Sequence, residues 1–312
     1  MNKIKVIFLA TPDIALASFE YFINSPDYDV EALVTIKPKP QNRGNKIIPR
    51  NITLMAQKYN IPVFEPEKIS KEPEIIKALK DLEPDFMITF AFGQILSQEV
   101  IDIPSIATIN LHASLLPEYR GANPIAQAII DGKDKTGITT MKTVLALDAG
   151  DICLQDVIEI SPKMNVIELM KEISARSPKL LDKTLKGLYE GTLESVCQDE
   201  NCATYTKKMK KEDKIIDWNM ESNDLHNKIR GMYKINTNHT IFNNKIVKVL
   251  ETRPLDCCGE VCEVLDITKD GIIIGCAKGA LELLTVKPEG KGEMKASDWA
   301  RGARIKKGDK FI

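Results

Sequence analysis

Apolar runs alternate with helical stripes through the first 190 residues, then give way to short, closely punctuated apolar runs. The stretch 3–10 (KIKVIFLA) is apolar at consecutive positions, the pattern of a strand covered on both faces. Thr11-Pro12-Asp13 follows as a helix start, with an N-cap hydroxyl, a proline at the first helical position and an early acid. Ala15, Phe19, Phe22 and Ile23 then fall on one helical face. Further strands are predicted at 30–36, 61–64, 86–90 and 108–112, and helices at 51–59, 72–82 and 123–131. Strands separated by helices imply a mainly parallel, Rossmann-like α/β sheet whose ligands bind at the carboxyl ends of the strands. Runs at 137–144 and 152–160 predict two more strands, joined by a loop that carries Asp148. Asn165 caps a helix with Val166, Leu169, Met170 and Ile173 on one face. Pro178, after Ser177, is expected to break and restart it, because a proline removes a helical hydrogen bond.

Beyond Gly191 the periodicity fades and polar residues dominate, so a linker is expected over 191–207 between a first domain, 1–190, and a second, 208–312. Apart from a helix at 224–231, the second domain offers short β-rich runs at 245–250, 261–267, 271–275 and 280–285. Gly259, Gly271, Gly279 and Gly290 punctuate them, which predicts a small open β-barrel of OB-like character.

A hydrophobic share of 43% with 28% charged residues is that of an ordinary globular chain, and no stretch approaches a membrane span. The first ten residues read as a strand with Lys3 and Lys5 inside it, not as an export signal. Seven cysteines at irregular spacing fit a reducing compartment, so a cytoplasmic protein is expected. Cys257, Cys258 and Cys262 lack a second ligand cluster and read as ordinary thiols, without a metal. Residues 203–312 carry 21 Lys/Arg against 16 Asp/Glu; with the whole chain at −1, the first 202 residues are net −6. A basic C-terminal third fits either a polyanion partner or simple solubility. The stretch 37–50 has five basic residues, no acid, three prolines and a glycine. It reads as a projecting loop, a phosphate-contacting arm or a solvated one.

The first strand is not followed by a Gly-x-Gly-x-x-Gly turn, and no Walker loop, His-Glu-x-x-His or Gly-x-Ser-x-Gly elbow occurs. The chemistry centres on Asn110 and His112, two residues apart on one face of the strand predicted at 108–112, with Asp148 one compact unit later. An amide donor can hold a developing oxyanion, an imidazole can move a proton, and a carboxylate can orient that imidazole. His226, in a helical surface pattern, and His239, in a polar turn, are weaker candidates.

Around this set, Asn110-Leu-His112-Ala-Ser114-Leu-Leu-Pro117, Tyr119-Arg120-Gly121, Pro124-Ile125 and Leu147-Asp148-x-Gly150-Asp151 resemble the signature of the folate-dependent formyltransferases. The stretch 90–96 (FAFGQIL) is similar to their pterin-pocket strand and turn. The resemblance implies 10-formyltetrahydrofolate as formyl donor, held by Gln94, Ile95, Leu96, Ser114, Leu115, Leu116 and Pro117, with no metal. It implies Asn110, His112 and Asp148 as the catalytic residues. Arg43-Gly44-x-Lys46-x-x-Pro49, 207–218 (KKMKKEDKIIDW), 286–291 (VKPEGK), Arg301-Gly302 and Gly308-Asp309 resemble the branch of the family that acts on initiator methionyl-tRNA. In that branch Arg43, Lys46, Arg50, Lys207 and Lys208 would contact the RNA, and the chain would work as a monomer away from membranes. Ala10, Asn123, Ala146, Ala149 and the stretch 232–239 depart from the family's usual residues. Two other readings stay open: a formyltransferase for a small amine, such as an amino-sugar nucleotide or glycinamide ribonucleotide, and a non-catalytic tRNA-binding or folate-sensing protein.

Overall fold

The computed structural model describes residues 3–38 and 48–312. In chain order it forms β1 (Ile4–Ala10), α1 (Leu16–Asn24), β2 (Tyr28–Val34), α2 (Asn51–Lys58), β3 (Val63–Phe64), α3 (Pro73–Asp81), β4 (Phe86–Phe90) and α4 (Gln98–Ile101). Then come β5 (Ala107–His112), β6 (Arg120–Gly121), α5 (Pro124–Ile130), β7 (Lys135–Lys142), β8 (Ile152–Glu159), α6 (Val166–Tyr189) and β9 (Tyr205–Thr206). The remainder holds α7 (Ser222–Gly231), β10 (His239–Phe242), β11 (Lys245–Leu255), β12 (Val264–Ile267), β13 (Ile272–Gly275), β14 (Ala280–Pro288), β15 (Met294–Lys295) and α8 (Ala296–Ala303). Two compact units result: Met1–Gly121 with Thr136–Ile158 and Met170–Tyr205, and Ala122–Lys135 with Glu159–Leu169 and Thr206–Ile312.

The first unit is built on a sheet of order β3-β2-β1-β4-β5-β7-β8. Strands β1 to β5 pair in parallel, and β7 runs antiparallel to β5. Strand β1 is central, and Val6 through Ala10 are fully covered, as its unbroken apolar run requires. Alternation sends Ile7 and Leu9 to one face, against Ile76 and Leu79 of α3 and Val100 of α4. It sends Phe8 to the other, edge-on to Phe19 and Phe22 of α1. Chain order reverses across β1 and β4, so the crevice at their carboxyl ends is where an open α/β sheet binds ligands.

Several sequence expectations are corrected in this unit. Thr11 does not cap a helix: its hydroxyl donates to the Phe92 carbonyl at 3.0 Å, and a 3₁₀ turn at Asp13–Ala15 precedes α1. Strand β2 begins two residues early because buried Tyr28 is drawn in by a 2.9 Å hydrogen bond to Asp182. Helix α6 runs unbroken through Pro178. A proline inside a helix costs about 3 kcal/mol, less than is gained by burying Leu169, Ile173, Leu180, Leu181 and Leu185 at about 1.5–3 kcal/mol each. Its start is as expected, with Asn165 Oδ1 accepting from the Ile167 and Glu168 amides while Glu168 returns a bond to the Asn165 amide.

The second unit carries an antiparallel sheet of order β10-β11-β14-β13-β12, with β15 beside β14. Strand β10 was not expected from the sequence; it forms a hairpin with β11 through Asn243 and Asn244, both in the left-handed region that a tight hairpin turn demands. The register of β11 shifts near Glu251, which bends this long strand and curls the sheet. Residues 309–312 fasten both edges, with Asp309 accepting from the Val264 amide and Ile312 exchanging two bonds with Ile241. Inside lie Trp218, Phe242, Trp299 and Phe311 in a ring cluster. Helix α8 was also missed: its apolar face is Ala296, Trp299, Ala300 and Ala303, mostly alanine, with Gly302 inside it. No helix of the described residues is long and apolar enough to cross a membrane.

The other two histidines are placed differently from their sequence patterns. His239 opens β10 instead of sitting in a turn, and His226 is half-buried with Nδ1 2.9 Å from the Thr252 hydroxyl. Burial pushes the His226 pKa down. The unfolded chain therefore takes up its proton first as the pH falls below about 6.5, so the stability contributed by neutral His226 is present above that pH and lost below it. Thermal melts followed by circular dichroism should show the melting temperature falling between pH 7.5 and pH 5.5, and falling less in His226→Gln. Equal slopes would exclude His226 as a source of the acid sensitivity.

Candidate functional site

The site begins at a register match. Thr89 of β4 pairs with Asn110 of β5, and the buried Thr89 hydroxyl donates to Asn110 Oδ1 at 2.8 Å. The carbonyl end of the amide is thereby committed. Its nitrogen, with two N–H groups, has no protein acceptor among the described residues. This is the polarity required of a donor to a developing oxyanion.

His112 ends β5 two residues later, on the same face. Its Nε2 lies 2.9 Å from the Tyr119 carbonyl, which can only accept, so Nε2 carries a hydrogen and Nδ1 is the nitrogen left for proton exchange. Nδ1 faces Asp148 Oδ2 at 3.7 Å, an ion-pair separation that is too long for a direct hydrogen bond. The two side chains are 7% and 13% exposed, so their electrostatic coupling is little screened by water. Asp148 Oδ2 also accepts from the Gly121 amide at 2.7 Å.

Backbone strain collects here. Ala91, Tyr119 and Asp148 all adopt positive φ, at 52°, 61° and 50°, as does Gly121 at 99°. Such conformations cost of order 1–3 kcal/mol for a non-glycine residue and persist only where the surroundings enforce them. At Asp148 the enforcing contacts come from both sides. The Gly121 amide holds its carboxylate, while Gln198 Nε2 donates to the Asp148 and Gly150 carbonyls at 2.8 and 2.7 Å. Gly150 lies against the Lys142 backbone, and a Cβ there would collide with the Lys142 carbonyl oxygen.

The residues expected around a folate fall into two groups. Ile95 is 88% exposed and extends from the turn after β4, where Gly93 takes a φ of 84°. The loop joining β7 and β8 exposes Leu145 and Leu147, at 62% each, an apolar surface beside Asp148 that the sequence reading did not single out. Exposed apolar side chains at the carboxyl end of a sheet suit a flat aromatic ligand. The others act from within the protein. Gln94 spends its amide on the Ile69 amide and the Pro66 carbonyl, and Leu96 is buried in the core. The Ser114 hydroxyl donates to the Glu118 carbonyl, Leu115 lies over Gly137, and Leu116 is tied to Thr139 and Gln155. The Pro117 carbonyl accepts from the Thr204 amide. These residues shape the turn that presents Tyr119 and Gly121.

Among the residues expected to meet RNA, Arg43 and Lys46 lie outside the described residues. Arg50 is half-buried, its Nε donating to the Ile36 carbonyl at 3.2 Å across the base of the basic stretch. Lys207 and Lys208 are exposed and form no ion pair among the described residues. Among those residues, no group of three or more His, Cys, Asp or Glu is arranged to hold a metal ion.

Residues 4–185 match the model described as formyl transferase, and 208–304 match the model described as formyl transferase, C-terminal domain. The chain belongs to the formyl transferase family. A methionyl-tRNA formyltransferase of Geobacter metallireducens is 36% identical over 99% of this chain and 98% of its own length. One from Clostridium acetobutylicum is 38% identical over 98% of each. Among solved structures, the N-formyltransferase from Helicobacter canadensis, in complex with folinic acid and dTDP-3-aminofucose, shares the fold, with a TM-score of 0.68 over 90% of this chain and 99% of that one at 17% identity.

Within this formyl transferase, the sequence reading missed Thr89 and Gln198 around the candidate site, and it quoted Tyr119 and Arg120 in the signature without assigning them a role. Thr89 had a signal, a lone hydroxyl in the apolar strand FMITF. Tyr119 contributes only a carbonyl, and backbone contributions leave no side-chain pattern. Gln198 lies in the stretch expected to be a linker, where its polarity looked unremarkable.

Proposed function

We propose that this chain transfers a formyl group from 10-formyltetrahydrofolate to the α-amino group of methionyl-initiator tRNA. The observation that carries this reading is the likeness to methionyl-tRNA formyltransferases, which runs through both parts of the chain at 36–38% identity. In it, 1–190 supply catalysis, 208–312 bind RNA together with Lys207 and Lys208 at the junction, and 191–207 connect them. The protein works as a cytoplasmic monomer.

The residues divide the reaction as follows. The neutral amine attacks the formyl carbon while Asn110 donates to the oxygen on which charge develops, an effect worth roughly 3–4 kcal/mol in such sites. The amine proton leaves through a water to Asp148. Asp148 passes that proton to Nδ1 of His112, and His112 delivers it from Nδ1 to N10 of the departing folate as the bond between the formyl carbon and N10 breaks. One C–N bond forms, one breaks, and one proton moves from the acceptor amine to N10. Ile95, Leu145 and Leu147 provide an apolar bed for the pterin.

The test offers initiator methionyl-tRNA, a dTDP-amino sugar and glycinamide ribonucleotide as competing acceptors. Formylation of the RNA supports the reading, and formylation of a small amine alone supports the alternative. A further prediction concerns 37–50: Arg43→Leu should raise KM for the tRNA and leave KM for the folate near its wild-type value. Its rate at low tRNA should also depend less steeply on salt, since each lost phosphate contact reduces counterion release. An unchanged KM and salt slope would remove the arm from the RNA interface.

A further inference from the structure

The stretch 191–207 holds a buried cation and meets the Asp148 turn through Gln198, an arrangement that the mechanism above does not use. Arg120 has a side chain 1% exposed, and it grips three residues of that stretch: Gln198, Glu200 and Tyr205, whose hydroxyl accepts from Nη1 at 3.1 Å. Its Nη1 and Nη2 donate to the two carboxylate oxygens of Glu200 at 2.9 and 2.8 Å. Its Nε and Nη2 donate to the side-chain oxygen of Gln198 at 3.0 and 2.9 Å. Since a guanidinium has donors only, the Gln198 amide has one possible orientation: oxygen to Arg120, nitrogen away. That nitrogen meets the Asp148 and Gly150 carbonyls. The next residue in the chain, Gly121, gives its amide to the Asp148 carboxylate. One two-residue segment thus controls both ends of Asp148, the carboxylate directly and the backbone through Gln198.

We propose that Gln198 is a positioning residue for formyl transfer, fixing the strained Asp148 turn in register with His112 while Arg120 and Glu200 fix the amide of Gln198. The inference rests on the assignment of Asp148 as a catalytic residue. A purely architectural contact would not require a buried guanidinium to dictate which end of the amide faces the turn. Nor would it converge on the one residue of the loop that holds both an ion-pair partner and a left-handed backbone.

Gln198→Glu tests this with little change of shape. The carboxylate still accepts from Arg120 but has no hydrogen for the Asp148 and Gly150 carbonyls, which it repels. The expected result is a fall in kcat of about tenfold, with KM for both substrates within about twofold of wild type and the fold retained by circular dichroism. Gln198→Asn, which keeps the amide but withdraws it by one methylene, is the second variant and should show the same loss confined to kcat. Each change is repeated in an Asp148→Asn background, where a residue that acts only through Asp148 has little left to perturb. A loss present with Asp148 and absent without it upholds the proposal. Wild-type kcat in both variants, or the same loss in either background, overturns it while leaving Asp148 catalytic. Wild-type kcat in Asp148→Asn alone would overturn the assignment of Asp148, and this inference with it.

Discussion

Asn110→Ala should lower kcat for formyl transfer by about 100- to 1000-fold while folate affinity stays near wild type. The size follows from where the amide acts. Its oxygen is held by Thr89 and its nitrogen has no acceptor among the described residues, so the side chain is oriented before any substrate arrives and loses nothing by reorganising during the reaction. A donor aimed at charge that exists only in the transition state lowers the barrier without tightening ground-state binding. Thr89→Val should give a smaller loss of the same kind, because the amide can then rotate but is still present. Stopped-flow turnover together with equilibrium folate titration separates the two quantities. If Asn110→Ala weakened folate binding and left kcat unchanged, the amide would be a binding group and the oxyanion assignment would fall.

Gly150→Ala should reduce kcat by on the order of 100-fold in a protein that still folds, the scale expected when a catalytic group is misplaced by about 1 Å. The glycine is required by close approach: a Cβ at this position would overlap the Lys142 carbonyl oxygen, which is backbone and cannot swing aside. The turn must move instead, and it carries Asp148 two residues before. The displacement breaks the 2.7 Å bond from Gln198 to the Gly150 carbonyl and lengthens a His112–Asp148 separation that is already 3.7 Å. The contact falls at the last residue of β7, at the edge of the sheet's buried core, so the melting temperature should change less than the rate. A variant with full activity would mean that the turn tolerates movement, contrary to the strain concentrated at Asp148.

How much of this was legible beforehand depended on the kind of signal. Strand β4 was placed to the residue because a strand buried on both faces writes a nearly unbroken apolar run, and β5 was placed to within one. Asn110 and His112 were visible as polar residues toward the end of a strand and Asp148 as a loop carboxylate, and the structure brings the latter two to 3.7 Å. What stayed hidden was carried by the backbone or by context. The tautomer of His112 is set by a carbonyl of Tyr119, and the polarity of Asn110 by a neighbouring strand's hydroxyl. Helix α6 ignored its proline because long-range packing outweighed a local penalty. Gln198 was obscured because a polar, aperiodic stretch reads as a connector, although here it packs its side chains against the Asp148 turn.

The central claim is most directly tested by following formyl transfer from 10-formyltetrahydrofolate to initiator methionyl-tRNA beside elongator methionyl-tRNA and free methionine. Transfer should be rapid to the initiator, much slower to the elongator and absent with free methionine. Equal rates on both tRNAs, or no transfer to either while folate still binds, would contradict it.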